Sequence, residues 1–116
     1  MPEFRIESLS DTEHRRLLDF DSVEVRPGDT GDSYLLTVRG ETPCVNMEVS
    51  LSPRVYADCP MYWGIEVVGF LPGGLCFTAM GSYDETIPLA GITGSRGIEV
   101  IGRTTSETRD VPGGCG

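Results

Sequence analysis

The sequence predicts a mainly β protein: an antiparallel β-sandwich of about seven or eight short strands with one short N-terminal α-helix. Its 116 residues are enough for one hydrophobic core. The 15 glycines and 8 prolines indicate many turns. Between these turns, short runs alternate apolar and polar residues, as half-buried strands do. We therefore expect a single domain over residues 1–105, followed by a polar, mobile tail over residues 106–116.

The one predicted helix begins at a capping box. Ser10 is followed three residues later by Glu13, and each side chain of such a pair can bond a free backbone N–H near the other. Acidic residues in the first turn also suit the positive end of a helix. The pattern predicts a helix over residues 11–19, with Leu17 and Leu18 on its apolar face.

The rest of the chain has the period of two that is typical of strands. The clearest case covers 45–51, where Val45, Met47, Val49 and Leu51 share one face and polar residues share the other. The predicted strands cover residues 4–7, 23–25, 33–38, 45–51, 61–71, 75–81, 86–89 and 97–104.

The sequence contains an internal repeat. Gly64-Ile-Glu-Val-Val-Gly69 recurs 33 residues later as Gly97-Ile-Glu-Val-Ile-Gly102, and a Pro-Gly-Gly turn and a cysteine follow each copy. Glycines at both ends of a strand permit tight bends or close approach of a neighbour. We interpret the copies as two equivalent strands with solvated glutamates; the alternative is that Glu66 and Glu99 form a pair of acidic ligands.

The charge balance excludes several kinds of chemistry. The net charge is −9, all nine basic residues are arginine, and His14 is the one histidine. Without lysine the chain can form neither a Schiff base nor a P-loop. A net negative charge disfavours nucleic acid and anionic membranes as partners. No catalytic set of residues is visible, so we expect a non-enzymatic protein with no cofactor and no bound metal.

The four cysteines leave the cellular compartment open. None forms a C-x-x-C motif, so neither zinc nor thioredoxin-like chemistry is indicated. They can form two disulfides, with three possible connectivities, or remain as four thiols in a reducing cytosol. The start Met1-Pro2-Glu3 lacks the features of a signal peptide, which predicts a cytoplasmic location. The prediction changes to extracellular if a signal peptide has been removed.

For function, we expect a protein-interaction or ligand-binding module whose partner is a protein, with a basic one favoured by the acidic charge. Aromatic rings beside a carboxylate can anchor a protein partner or stack on a sugar, which makes a lectin-like domain the alternative. The candidate binding residues are Tyr56, Asp58, Tyr62, Trp63 and Tyr83.

A further alternative comes from Asp29-Thr30-Gly31. This triplet, with Val100-Ile-Gly-Arg103 later in the chain, resembles two short elements of the retroviral-type aspartic proteases. The resemblance implies a dimer in which two copies of Asp29 share one proton. The same loop also contains Asp32, and Asp19 and Asp21 precede it. Clustered carboxylates can bind calcium, but no EF-hand spacing is present. We therefore interpret these residues as solvated turn aspartates.

Overall fold

The computed structural model describes residues 15–116 as a mainly β protein with two sheets and eight strands. The helical content of this part is one short 3₁₀ turn at Pro72–Gly74, and no α-helix is present in it. The strands are β1 (Arg15–Leu17), β2 (Ser22–Pro27), β3 (Tyr34–Thr42), β4 (Glu48–Pro53), β5 (Tyr62–Phe70), β6 (Gly81–Pro88), β7 (Gly97–Ile101) and β8 (Ser106–Asp110).

The larger sheet has five strands arranged around β5. β4 pairs with residues 65–70 of β5, whereas β7 pairs with residues 62–66 and β1 with residues 68–70. A strand has two hydrogen-bonding edges. The β5 residues that pair with β4 include some that pair with β7 and some that pair with β1, so β4 cannot share an edge with either. β4 therefore occupies one edge of β5, and β7 and β1 follow one another along the opposite edge. β8 continues the sheet beyond β7.

The two repeated segments lie side by side in this sheet. β5 and β7 pair in parallel, with Gly64 opposite Glu99 and Ile65 opposite Val100. This corrects the prediction of an antiparallel sandwich, because the sheet is mixed. Parallel neighbours require a crossover between them. Here the chain leaves β5, forms β6 in the second sheet, and returns to β7 in the original direction.

The smaller sheet is antiparallel, in the order β2–β3–β6. Its outer face is polar: the Arg39 guanidinium lies between Glu24 on β2, at 3.5 Å, and Asp84 on β6, at 2.8 Å. Its inner face contributes Leu36 and Val38, both fully buried, to the core. The larger sheet contributes Ile65, Val67, Ile98 and Val100 to the same cluster, so the two sheets share one core.

The predicted helix is wrong where the structure describes it. Residues 11–14 lie outside the described residues, but Arg15–Leu17 forms strand β1 rather than continuing a helix. The Leu18 amide donates to the Val67 carbonyl, and the Leu18 side chain is buried above Gly69. Pairing with the edge of β5 and burial of Leu18 therefore outweigh the local capping signal, which is a weak preference that tertiary contacts override.

Two further expectations are corrected. The predicted tail over 106–116 begins with β8, which pairs with β7 along its whole length, and Cys115 near its end is disulfide-bonded. The predicted strand over 75–81 is instead a loop up to Met80, and β6 begins only at Gly81. The alternating apolar residues of this loop do not face the core.

The four cysteines form two disulfides, Cys44–Cys76 and Cys59–Cys115. Cys44 follows the end of β3, and Cys76 lies between β5 and β6. Cys59 precedes the start of β5, and Cys115 follows the end of β8. The bridges therefore lie at opposite ends of the strands. Each repeated Pro-Gly-Gly turn leads into one of them, which explains the second half of the sequence repeat.

Candidate functional site

Tyr56 and Trp63 form a contact that serves the fold. Their ring centroids are 5.1 Å apart with an interplanar angle of 74°, so they meet edge to face. The Trp63 indole N–H donates to the Arg54 carbonyl at 2.8 Å, and the Tyr56 hydroxyl accepts from the Gly64 amide at 3.1 Å. The polar atoms of both rings are thus used within the protein. The two rings do not present the shared flat surface that stacking on a sugar requires.

Tyr62 lies on the other face of β5, since neighbouring residues of a strand point to opposite sides. Its hydroxyl donates to Asp110 on β8 at 2.7 Å, and the Arg96 guanidinium lies 5.8 Å from its ring centre. The hydrogen bond to Asp110 is the main cause of the raised pKa of Tyr62. Because it lies on the opposite face of β5, Tyr62 does not join Tyr56 and Trp63 in one surface. Asp58, the residue before Cys59, is exposed.

Tyr83 belongs to the other sheet and to the core. It lies on β6 opposite Gly40 and is buried, and its hydroxyl donates to the Asp19 carbonyl at 2.9 Å. Burial raises the pKa of Tyr83 to about 12, with smaller contributions from Asp21 and Asp19. A ring packed over a cross-strand glycine is a known stabilising arrangement in sheets. Tyr83 packs in the core on the smaller sheet, away from Trp63 and Tyr62 on β5 of the larger sheet.

The raised pKa of Tyr83 predicts a specific loss of stability at alkaline pH. The folded state favours the neutral phenol, so its stabilisation is complete below the ordinary pKa of about 10 and is lost as pH rises towards about 12. In Tyr83→Phe this part of the pH dependence should disappear. The variant should also lose about 1 kcal/mol at neutral pH, because it lacks the bond to Asp19. Denaturant unfolding of both proteins from pH 7 to pH 12 measures the two effects. If the free energy of unfolding falls equally with pH in both proteins above about pH 10, the role given to the Tyr83 phenol is contradicted.

Asp29 lies in the exposed turn between β2 and β3, where the Ser33 amide donates to the Thr30 carbonyl. The second protease-like element lies elsewhere: Gly102 packs against Asp19, which precedes β2, whereas Asp29 follows it. The six residues of β2 span about 20 Å. The two elements that resemble a protease are thus at opposite ends of β2, and the fold does not favour that interpretation.

The four aspartates in and before this loop do not come together, because β2 separates Asp19 and Asp21 from Asp29 and Asp32. Asp19 accepts hydrogen bonds from the Thr104 amide at 2.7 Å and the Thr104 hydroxyl at 2.5 Å, and these bonds lower its pKa. Asp19 therefore anchors the turn between β7 and β8. Asp29 and Asp32 lie at the other end of β2. Over residues 15–116, no group of three or more histidine, cysteine or acidic side chains is placed to hold a metal ion.

The glutamates of the repeat are not directly opposite each other in the sheet. Glu66 makes an ion pair with Arg54 at 3.0 Å, and both groups are partly exposed. In the register, Glu66 is opposite Ile101, and Glu99 is opposite Gly64. The glycines of the repeat are better explained, because each allows a close approach: a Cβ at Gly64 would meet the Tyr56 hydroxyl at 2.8 Å, and one at Gly97 would meet the Arg109 carbonyl at 1.9 Å.

A cluster of exposed apolar side chains lies at the end of the strands marked by Cys44–Cys76. We name it the apolar loop surface and define it by four residues from the loops 43–47 and 71–80: Val45, Leu75, Phe77 and Met80. Their exposed fractions run from 55% for Val45 to 68% for Leu75. They make up four of the six exposed large hydrophobic residues found between residues 15 and 116. The other two, Val55 and Met61, lie on the connection from β4 to β5.

Covalent and hydrogen bonds hold these two loops together. The Cys44–Cys76 disulfide joins them, and the Val45 amide donates to the Phe77 carbonyl at 3.1 Å. The Asn46 side chain also bridges them: its Nδ2 donates to the Leu75 carbonyl at 2.7 Å and its Oδ1 accepts from the Phe77 amide at 3.0 Å. One disulfide and three hydrogen bonds therefore link the two loops that carry the apolar loop surface.

A groove with a volume of about 450 Å³ lies at the opposite end of the strands. Its walls come from the β2–β3 turn, the loop after β6 and the C-terminal Pro-Gly-Gly turn. Asp32 and Tyr34 line one wall, and Leu89 and Pro112 are among the apolar residues. None of the five binding residues predicted from the sequence lines it.

Sequence reasoning missed the apolar loop surface. The alternation of Leu75, Phe77 and Ala79 was the same signal that marks a strand. The available warning was the setting of these residues between a Pro-Gly-Gly turn and Gly81, with a cysteine among them.

No helix within the described 15–116 region combines the length and apolar character needed to cross a bilayer.

The comparisons with known proteins assign no family to this architecture or to the apolar loop surface. No family model, no curated protein and no solved structure matches the chain.

Proposed function

We propose that this chain is a β-sandwich that works as a non-enzymatic protein-binding module, with the apolar loop surface as its contact site. The observation that carries the proposal is the exposure of Leu75, Phe77 and Met80 on a loop that a disulfide and Asn46 hold in place. Large exposed apolar patches on small proteins mark interaction sites, and phenylalanine and methionine are enriched there. A fixed loop also loses little conformational entropy on binding.

The two disulfides support an oxidising compartment as the place of action, since such bonds rarely persist in the cytosol. Of the two locations expected from the sequence, we therefore propose the extracellular one. The cytoplasmic alternative would require both bridges to be reduced. A reduced protein would lose the covalent link that holds the apolar loop surface together.

The proposal is tested with the oxidised protein and a library of random peptides displayed on phage. Peptides selected on the native protein should lose about tenfold or more in affinity for the double variant Leu75→Ser/Phe77→Ser, because buried apolar anchors dominate interface energies. The matched control is Val55→Ser, which removes a side chain 96% exposed near the start of the β4–β5 connection. Fluorescence polarisation with labelled peptides measures the affinities. Thermal unfolding checks that both variants fold, since surface substitutions change stability by only about 0.5 kcal/mol.

Two outcomes contradict the proposal. If the selected peptides bind the double variant and the native protein equally well, the apolar loop surface is not the contact site. If the native protein instead binds phosphatidylcholine vesicles, and Leu75→Ser/Phe77→Ser abolishes that binding, the surface contacts lipid rather than protein.

A further inference from the structure

Strand β8 forms one edge of the larger sheet, and its outward backbone groups follow from its pairing with β7. At one end of this pairing the Gly102 amide donates to the Thr105 carbonyl. At the other end the Val111 amide donates to the Arg96 carbonyl. In an antiparallel pair, residues bonded to the neighbouring strand alternate with residues that are not. Because Thr105 and Val111 are both bonded, the alternate residues between them direct their N–H and C=O groups away from β7. These residues are Ser106, Thr108 and Asp110.

This edge of β8 is open. The three residues are exposed, and within residues 15–116 their outward backbone groups take part in one hydrogen bond, from Arg109 Nη1 to the Thr108 carbonyl at 3.0 Å. Edge strands are commonly protected by proline or lysine, and β8 contains neither. By contrast, the edge strands β2, β4 and β6 each end in a proline, which has no N–H to donate. The β8 edge can therefore accept a further strand.

The sequence of β8, Ser-Glu-Thr-Arg-Asp, is complementary to itself in the antiparallel direction. If two copies pair about Thr108, each Glu107 lies opposite the partner's Arg109. Directly opposite residues have Cβ atoms about 4.5–5.5 Å apart, and opposite charges there stabilise a sheet. Within one chain, Glu107 and Arg109 are already 2.7 Å apart, and both side chains are partly exposed. Pairing would therefore bring four charges of alternating sign together.

The same pattern favours one register. With Thr108 on the two-fold axis, its outward N–H and C=O meet those of the partner's Thr108 and form a hydrogen-bonded pair. Sliding the copies by two residues in one direction would place Arg109 opposite the partner's Arg103, and two like charges there are destabilising. Sliding them in the other direction would place Arg109 opposite Val111, beyond the end of β8. Either slide loses both ion pairs.

We propose that β8 is a dimerisation edge, at which a second copy of this chain adds its own β8 in the antiparallel direction about Thr108. A two-fold axis forms each contact of such an interface twice. The net charge of −9 on each copy opposes association at low ionic strength. At about 0.15 M salt, however, exposed charges more than about 8 Å apart are largely screened, whereas the close pairs at the edge are screened less. No residue of the apolar loop surface lies on β8, so this inference goes beyond the proposed function and does not depend on it.

Sedimentation velocity of the oxidised protein at about 0.15 M NaCl tests the proposal over protein concentrations from micromolar to millimolar. The native protein should form a dimer as its concentration rises. Glu107→Arg and Arg109→Glu each place like charges opposite one another, so each should weaken the dimer about tenfold or more. An equimolar mixture of the two variants should restore association, because every like-charge pair becomes an opposite-charge pair between them.

The matched control is Glu48→Arg, which changes the net charge as Glu107→Arg does but lies on β4, across β5 from β7. It should leave the dimer within about twofold. Thr108→Pro removes the outward N–H at the axis but no bond to β7, so it should abolish the dimer while thermal unfolding shows a folded chain. A native protein that stays monomeric at every concentration would overturn the proposal, as would a dimer that both charge variants leave intact. It also fails if the mixture of the two folded variants stays monomeric.

Discussion

Replacing Cys59 and Cys115 together by serine is expected to lower the free energy of unfolding by about 4 kcal/mol. The bridge joins residues 56 positions apart and ties the segment after β8 to the start of β5. Without it, the unfolded chain gains the conformational freedom of a long loop, while the native contacts change little. Since small domains are stable by only about 5–15 kcal/mol, this loss is a large share of the total. Urea unfolding of the oxidised proteins measures it.

The second bridge provides the comparison. Cys44→Ser/Cys76→Ser opens a loop of 32 positions, so its cost should also be about 4 kcal/mol, slightly below that of the first. Only this variant, however, should also weaken peptide binding at the apolar loop surface, because Cys44–Cys76 links its two loops. A change below about 1 kcal/mol in both variants would mean that the bridges add little beyond the sheet contacts.

The second large effect is expected for Gly97→Ala, which should destabilise the protein by about 3 kcal/mol. A Cβ at this position would lie 1.9 Å from the Arg109 carbonyl oxygen and 2.9 Å from the Asp110 Cα. These are backbone atoms of β8, which is hydrogen-bonded to β7 along its length. No side-chain rotation can relieve the clash, so β8 must move away from the sheet. Denaturant unfolding gives the change in stability.

The repeat supplies a matched substitution. Gly64 holds the position in β5 that Gly97 holds in β7, but a Cβ there would meet the Tyr56 hydroxyl at 2.8 Å and the Arg54 Cδ at 3.0 Å. These are side-chain atoms, so Gly64→Ala should cost only about 1 kcal/mol. Gly31→Ala, with no atom within 4 Å of its Cβ, should be neutral or slightly stabilising. Equal losses for Gly64→Ala and Gly97→Ala would contradict the backbone explanation.

Most strands could be predicted because their periodicity reports burial on one face. The prediction over 61–71 matches β5 within a residue at each end, and residues 23–25 and 33–38 fall in β2 and β3 apart from Ser33. The period of two also put Leu51 on the apolar face of its strand, and Leu51 lies in the core. It could not distinguish the loop around Phe77 from a strand, because alternation is a local property and pairing with a neighbour is not.

The candidate site was harder to predict than the fold. The chemistry of the aromatic candidates suits binding and structural packing equally well. These candidates are Tyr56, Tyr62, Trp63 and Tyr83. Their hydrogen-bond partners are distant in the sequence: Asp110 is 48 residues from Tyr62, and Asp19 is 64 residues from Tyr83. Val45 illustrates the reverse error, because its place in an alternating run suggested burial, yet it is more than half exposed.

Composition and hydrophobic period were enough to identify an acidic, mainly β chain with many turns, because both can be read from residues that are close in the sequence. The three-dimensional fold was needed to show that the two repeated segments pair in parallel, that the cysteines join as 44–76 and 59–115, and that residues 106–110 form a strand. Each of these depends on which parts of the chain meet in space. The same is true of the apolar loop surface: Val45 and Phe77 become neighbours only because β3 and β5 end at the same side of the molecule.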